Sequence, residues 1–163
     1  ASQPGEERDG GVGVLSVALE TPRQPEVEEL FRQSTAMMLS LYRPESTHLV
    51  SADFLGAPNV RFFVARLDKR VVGCGALVIG AHGQAELKRM FVTEAARGQG
   101  AGKAVLQAIE EAARREGVRL LQLETGIHNR AAIMLYRVQG YRGCGPFGDY
   151  RPDPISVFME KTL

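Results

Sequence analysis

The run Arg97-Gly98-Gln99-Gly100-Ala101-Gly102-Lys103 constrains this chain more than any other stretch. Alternate glycines neither prolong a strand nor start a helix well, so the run is a turn. Before it, residues 85–92 read as a strand, with Leu87 among charged neighbours and an apolar end at Met90, Phe91 and Val92. After it, Ala104, Val105, Ala108, Ile109 and Ala112 recur at helical spacing until Gly117 ends the pattern. A strand that passes through glycines directly into a helix gathers free backbone N–H groups and the positive end of the helix dipole around one point. Such a point holds a diphosphate. Arg97 and Lys103 add positive charge at its edges.

Spacing narrows the ligand. A Walker A loop needs glycine, four residues, then Gly-Lys and a hydroxyl residue; here Arg97 stands where the first glycine belongs and Ala104 where the magnesium-binding hydroxyl belongs. The dinucleotide pattern G-x-G-x-x-G fails as well, because Lys103 occupies the third glycine position after Gly98 and Gly100. Nucleotide hydrolysis and dinucleotide binding are therefore disfavoured.

Around this centre the chain alternates strands and helices. Residues 1–13 are rich in Gly, Glu and Asp with little to bury and are expected to form a disordered lead-in to a single domain over residues 14–163. Residues 14–19 suit a first strand. A helix starting at Glu26 carries Val27, Leu30, Phe31, Ser34, Met37, Met38 and Leu41 on one face. Residues 42–59 form a loop facing substrate. Residues 60–67 and 71–79 suit a hairpin with a three-residue turn at Asp68, Lys69 and Arg70. A buried strand over residues 118–123, a short helix over 130–139 stopped by Gly140 and a last strand over 156–161 complete a mixed α/β domain. Its sheet is largely antiparallel, with one strand-helix-strand unit.

The charge balance, 20 basic against 19 acidic residues or +1, offers no general pull toward nucleic acid or an anionic membrane. Two cysteines, Cys74 in a strand and Cys144 in a loop, lack metal-ligand spacing, so no metal is expected, and they read as free thiols of a cytoplasmic protein. No apolar run nears the roughly 20 residues that span a bilayer.

Two motifs then carry a resemblance. Arg97-Gly98-Gln99-Gly100-Ala101-Gly102 resembles the acyl-CoA pyrophosphate loop of the GNAT N-acetyltransferase superfamily, and Met90-Phe91-Val92 stands where that family ends the preceding strand. Downstream, Asn129-Arg130-Ala131-Ala132-Ile133-Met134-Leu135-Tyr136 followed by Gly140-Tyr141 resembles the family's second motif. The tail from Cys144 to Tyr150, with Asp153-Pro154 and residues 156–159, is similar to a bacterial subgroup known as indole-acetate acetyltransferases. The resemblance spans residues 14–163, although the first third matches only in element order. It implies a mostly antiparallel six- to seven-stranded sheet flanked by helices, with a V-shaped split between strands ending near Met90 and Glu124. It also implies acetyl-CoA as co-substrate, an amine acceptor on a small molecule or peptide, and frequent homodimerisation.

What the resemblance implies for the site is specific. A bulge near Met90 frees a backbone N–H for the acetyl oxygen, while Val92 bonds the pantetheine arm and residues 97–103 hold the pyrophosphate. Tyr136 matches the family's tyrosine near the CoA sulfur, where a phenol can protonate the departing thiolate. Asn129 holds the pantetheine or caps its helix. For the base, Glu86 comes first and Glu124 second, followed by His128, His48 and Asp149. Strand alternation puts Glu86, Lys88 and Met90 on one face and Leu87 and Arg89 on the other. Phe31, Tyr42, Phe147 and Tyr150 are expected to line an acceptor pocket, with Glu45 or Asp149 attracting a cationic amine. The alternative to an enzyme is a non-catalytic acyl-CoA sensor with the same loop. Retention of Tyr136 beside nearby carboxylates favours the enzyme.

Overall fold

Residues 60–67 form a strand, β2 (Val60–Leu67), that is apolar on both faces: Val60, Phe62 and Val64 enter one buried cluster while Phe63 and Ala65 enter another. Such a strand belongs inside a sheet covered on both sides. The structure, a computed structural model, describes residues 13–46 and 50–163. Its other strands are β1 (Leu15–Leu19), β3 (Arg70–Ile79), β4 (Gln84–Val92), β5 (Leu120–Gly126), β6 (Arg142–Cys144) and β7 (Ser156–Thr162). They form one seven-stranded sheet in the order β1-β2-β3-β4-β5-β7-β6. Every neighbouring pair is antiparallel except β4–β5, which is parallel. The helix that joins those two supplies the crossover a parallel pair requires.

Among the described residues four α-helices cover the sheet. α1 (Pro25–Leu41) opens on a proline with Glu26 and Glu28 in its first turn, both favourable at a helix N-terminus. α2 (Ala52–Leu55) is one turn, capped by Ser51, whose hydroxyl accepts from the Phe54 N–H at 3.2 Å. α3 (Ala101–Arg115) is the crossover, and α4 (Arg130–Val138) follows β5. Val105, Leu106 and Ile109 of α3 pack with Tyr136 of α4 on Leu77, Leu87, Leu121 and Leu123. Across the sheet, Val27, Leu30 and Leu55 pack on Phe62, Val64 and Cys74.

The differences from expectation are local. The β2–β3 connection is a two-residue turn, Asp68-Lys69, made possible by Asp68 at φ 57°. The buried stripe of α3 runs through Ala101, Leu106 and Ala113, with Ala104, Ala108 and Ala112 only half-buried. β5 runs three residues past Leu123, and Cys144 lies in the short strand β6, which exists only by pairing with β7. The loop after α1 holds a 3₁₀ turn (Pro44–Ser46) and α2. Both the lead-in, up to residue 12, and His48 lie outside the described residues. No helix among the described residues is long and apolar enough to cross a membrane.

Candidate active site

The sheet opens in its middle. β4 and β5 pair only from Gln84↔Leu120 to Leu87↔Leu123, and beyond that point β4 stays with β3 while β5 stays with β7. The expected split between the strands ending near Met90 and Glu124 is thus present. A β-bulge shapes its β4 side: Ala76 pairs with Lys88 but Cys74 with Phe91, so β4 carries one residue more than β3. Within it Arg89 takes φ 58°, a left-handed conformation uncommon for a long side chain. The Thr93 N–H returns to the Val72 carbonyl at 2.9 Å. By alternation the N–H groups of Val92 and Met90 turn the other way, toward the gap β5 has left.

The bulge also exchanges faces. Met90 packs into the α3 core beside Leu87, where a methyl added to Gly75 would meet Met90 Sδ, Val105 and Ile109. Arg89 turns to the α1 side, its Nη1 donating to Ser34 Oγ at 3.3 Å and its guanidinium 4.2 Å from the Phe31 ring centre. The simple alternation that groups Met90 with Glu86 and Lys88, and Arg89 with Leu87, is therefore wrong by one residue.

After β4 a 3₁₀ turn (Glu94–Ala96) leads to the glycines. Gly98 and Gly100 have φ of 79° and 83°, and a Cβ on either would meet nothing within 4 Å, so the turn is an open cradle that only glycine enters without strain. α3 starts with Gly100 as N-cap, with no side-chain cap and no acidic residue in its first turn. The first intrahelical bond runs from Ala104 N–H to Gly100 O at 3.0 Å, which leaves the N–H groups of Ala101, Gly102 and Lys103 without helical acceptors. Gly102 serves differently: a Cβ there would stand 3.1 Å from Leu135 and 3.6 Å from Val92, so its bareness lets α3 lie close to α4 and β4. Lys103 and Gln99 are at the surface, and Arg97 reaches back to the Val92 carbonyl at 3.4 Å and to Met37 Sδ at 3.6 Å. A cradle of unpaired donors with no competing anion of its own suits the diphosphate of coenzyme A.

On the α1 side of the gap, the side chains of Glu86 and Lys88 meet Tyr150 from the loop before β7. Tyr150 donates to Glu86 Oε1 at 2.8 Å, Lys88 Nζ donates to the Tyr150 oxygen at 2.7 Å, and Lys88 and Glu86 form an ion pair at 3.0 Å. Burial pushes the Tyr150 phenol up to about 12. Burial opposes the Lys88 charge, yet the Tyr150 oxygen and the Glu86 carboxylate together hold its pKa above the ordinary value. Phe147, Tyr150 and Phe158 pack edge to face, with centroids 5.1 to 5.8 Å apart, and wall this polar group on one side.

The end of β5 carries a second polar hub. Tyr42 donates to Asn129 Oδ1 at 3.1 Å and accepts from the His128 N–H at 3.0 Å, while Asn129 Nδ2 donates to Thr125 Oγ1 at 3.3 Å. Asn129 occupies the N-cap position of α4 but makes no capping bond with its side chain, which instead ties Tyr42 to β5. Glu124 lies one residue beyond the last β4 pairing, opposite Phe158. Its charge, after burial as the larger cause, raises the Tyr42 pKa. Tyr136 is 4% exposed, edge-on to Tyr141 at 5.7 Å, and burial lifts its pKa well above the free phenol. It therefore carries its proton at any neutral pH.

Of the residues expected at the site, Glu86, Met90, Phe91 and Val92 lie on β4, residues 97–103 follow it, Glu124 lies on β5, Asn129 precedes α4 and Tyr136 lies within it; the Phe91 side chain is buried in the α1-side core. Asp149 and Glu45 are exposed and make no ion pair among the described residues, and His128 is exposed and packed against Tyr42 at 5.5 Å. In the sequence Lys88 and Arg89 stand out only as members of strand faces; the contacts of Lys88 follow from its shared face with Glu86, and those of Arg89 depend on a bulge that no spacing announces.

Comparisons with known proteins agree with this geometry. A family model described as the acetyltransferase (GNAT) family matches residues 25–141. The chain is 45% identical over 150 residues to an IAA acetyltransferase of Azospirillum brasilense, covering 91% of this chain and 98% of the relative. It shares 35% identity and a TM-score of 0.78 with a Klebsiella pneumoniae structure described as an acyl-CoA N-acyltransferase, over 91% of this chain and 97% of that one. The PaiA N-acetyltransferase of Thermoplasma acidophilum, solved with coenzyme A, shares the fold at a TM-score of 0.74 and 17% identity, over 92% and 99% of the two chains.

Proposed function

The chain belongs to the acetyltransferase (GNAT) family and transfers acetyl from acetyl-CoA to an amine; from that premise we propose which residues carry the transfer. The observation that carries the assignment is the β4–β5 gap, with unpaired donors of the glycine turn on its α3 side and the Glu86–Lys88–Tyr150 group on its α1 side. Acetyl-CoA brings the acyl group as an activated thioester. The N–H groups of residues 101–103, with Arg97 and Lys103 beside them, hold its diphosphate. Met90 and Val92 turn N–H groups into the gap, where one polarises the thioester carbonyl and the other holds the pantetheine amide. Asn129 supports the same arm through the hub at the end of β5.

Acceptor chemistry belongs to the α1 side. The incoming nitrogen needs its lone pair, so a proton must leave it before or during attack. Glu86 takes that proton, directly or through water, and Tyr150 and Lys88 fix the carboxylate's direction. Glu124 is the second candidate for the same task. Tyr136 gives its proton to the sulfur as the carbon–sulfur bond breaks. Two free thiols among the described residues suit a reducing cytoplasm.

The test is acceptor-dependent release of CoA thiol across a panel of primary amines. Tyr136→Phe is expected to lower kcat by about 100-fold, the scale of one positioned proton donor, with acetyl-CoA affinity kept. Glu86→Gln should lower kcat by about 100-fold or more, again with acetyl-CoA affinity kept. Unchanged kcat in Tyr136→Phe would remove the acid role from that phenol.

A further inference from the structure

Among the described residues Arg89 is a cation without a counterion. No carboxylate lies within ion-pair distance of it among the described residues, although Arg61 and Arg66, half-buried like Arg89, are paired with Glu116 and Glu20. Among the described residues its Nε, sealed from solvent, has no partner, and its side-chain bond is the weak contact with Ser34. Burial pulls its pKa below the ordinary guanidinium value, a sign that the charge is held at a cost. The backbone adds a second cost, since Arg89 sits at φ 58°.

The cost is not explained by packing. The Phe31 ring supports the guanidinium from one side but accepts no bond from Nε, and an apolar side chain would cover the ring without desolvating a charge. Cys74 is no partner: its thiol donates to the Arg89 carbonyl, and burial pushes its pKa up to about 12, so it is neutral. Lys88, the neighbouring cation, is already matched by Glu86. The bulge that opens the gap is also what turns Arg89 away from the α3 core and onto the acceptor side. One unmatched positive charge, with a planar fork of donors, therefore stands beside the place where the amine must come.

We propose that Arg89 receives a carboxylate of the acceptor, so that the substrate is a small molecule bearing an amine and a carboxylate, as a free amino acid does. The inference rests on the transfer reading above. One net charge matches a monoanion, and the flat guanidinium matches a carboxylate in two-point contact. The diphosphate of acetyl-CoA belongs to the opposite face. Arg89 then acts as a specificity-determining residue, anchoring the acceptor while its amine meets the thioester.

The test uses the wild-type protein first. Initial rates of CoA release are compared for the free amino acids, each beside its carboxamide and its decarboxylated amine. The accepted amino acid should exceed both analogues by about 100-fold in kcat/KM, because the analogues leave Arg89 unmatched. In Arg89→Gln that preference should collapse to within a few-fold, mainly through KM, while acetyl-CoA binding by calorimetry is unchanged. Arg89→Lys, which keeps the charge and loses the fork, should fall between. Equal rates for acid, amide and amine in the wild type would overturn the proposal, as would a preference that survives in folded Arg89→Gln. Turnover of carboxylate-free amines alone would also overturn it while leaving the transferase reading intact. Failure of the wild type to bind acetyl-CoA, or to turn over any amine, would strike the transferase reading itself and this proposal with it.

Discussion

Gly126 and Tyr42 give the sharpest stability prediction. A methyl group placed on Gly126 would fall within the hydroxyl and ring of Tyr42, which is only 8% exposed and is backed by His128. The ring cannot slide without surrendering its bonds to Asn129 Oδ1 and from the His128 N–H. Overpacking of this kind costs about 1–3 kcal/mol, and two lost neutral hydrogen bonds add about 1 kcal/mol each, so Gly126→Ala should cost about 4 kcal/mol. For a domain of this size that lowers Tm by about 10 °C. In a Tyr42→Ala background the added methyl enters space the ring has left, and the same substitution should cost less than about 1 kcal/mol. Thermal melts of the four proteins by circular dichroism close the cycle. A Gly126→Ala protein melting within about 2 °C of wild type, or an equal cost in both backgrounds, would show that Tyr42 does not clash with the added methyl.

Three other expectations follow from the same contacts. Gly100→Trp fills the open cradle and strains a residue at φ 83°, so acetyl-CoA affinity should fall at least about 100-fold by calorimetry while the melt drops only a few degrees; an unchanged Kd would detach the diphosphate from this turn. Lys161 and buried Glu110 form an ion pair at 2.5 Å, so Lys161→Met should cost about 3–5 kcal/mol in urea unfolding, and Glu110→Gln added to it should recover much of the loss; no recovery would show that the charge was not the problem. All four tyrosines have pKa values raised, by burial before any other cause. Each unfolded phenol loses its proton near the ordinary value of 10 and each folded one later, so stability is fully present below pH 10 and declines from about pH 10 to 12 and above. Absorbance at 295 nm should show no tyrosine step at pH 10 with the fold intact; one such step would contradict the burial of that ring.

Much of this was legible in the sequence because local rules and tertiary packing agreed. The glycine run between an apolar strand end and an amphipathic helix can hardly be anything but a turn opening a helix, and its conformation follows from positions that only glycine fills easily. A motif singles out Tyr136 and Asn129 but not the bonds of Asn129, since whether an N-cap residue caps or reaches elsewhere depends on Tyr42, 87 residues earlier in the chain. The faces of β4 were misread beyond Lys88 because alternation assumes a regular strand, and one inserted residue reverses every side chain after it. β6 was invisible for a related reason: Arg142, Gly143 and Cys144 have no pattern of their own and become a strand only through their partner β7.

Whether the gap between β4 and β5 holds acetyl-CoA is decided by titration calorimetry of the wild-type protein, with ATP and NAD as controls. Micromolar binding of acetyl-CoA near one site per chain, with neither control binding comparably and no need for magnesium, is the predicted result. No heat with acetyl-CoA from folded protein, or equal binding of ATP through magnesium, would remove acetyl-CoA from this gap.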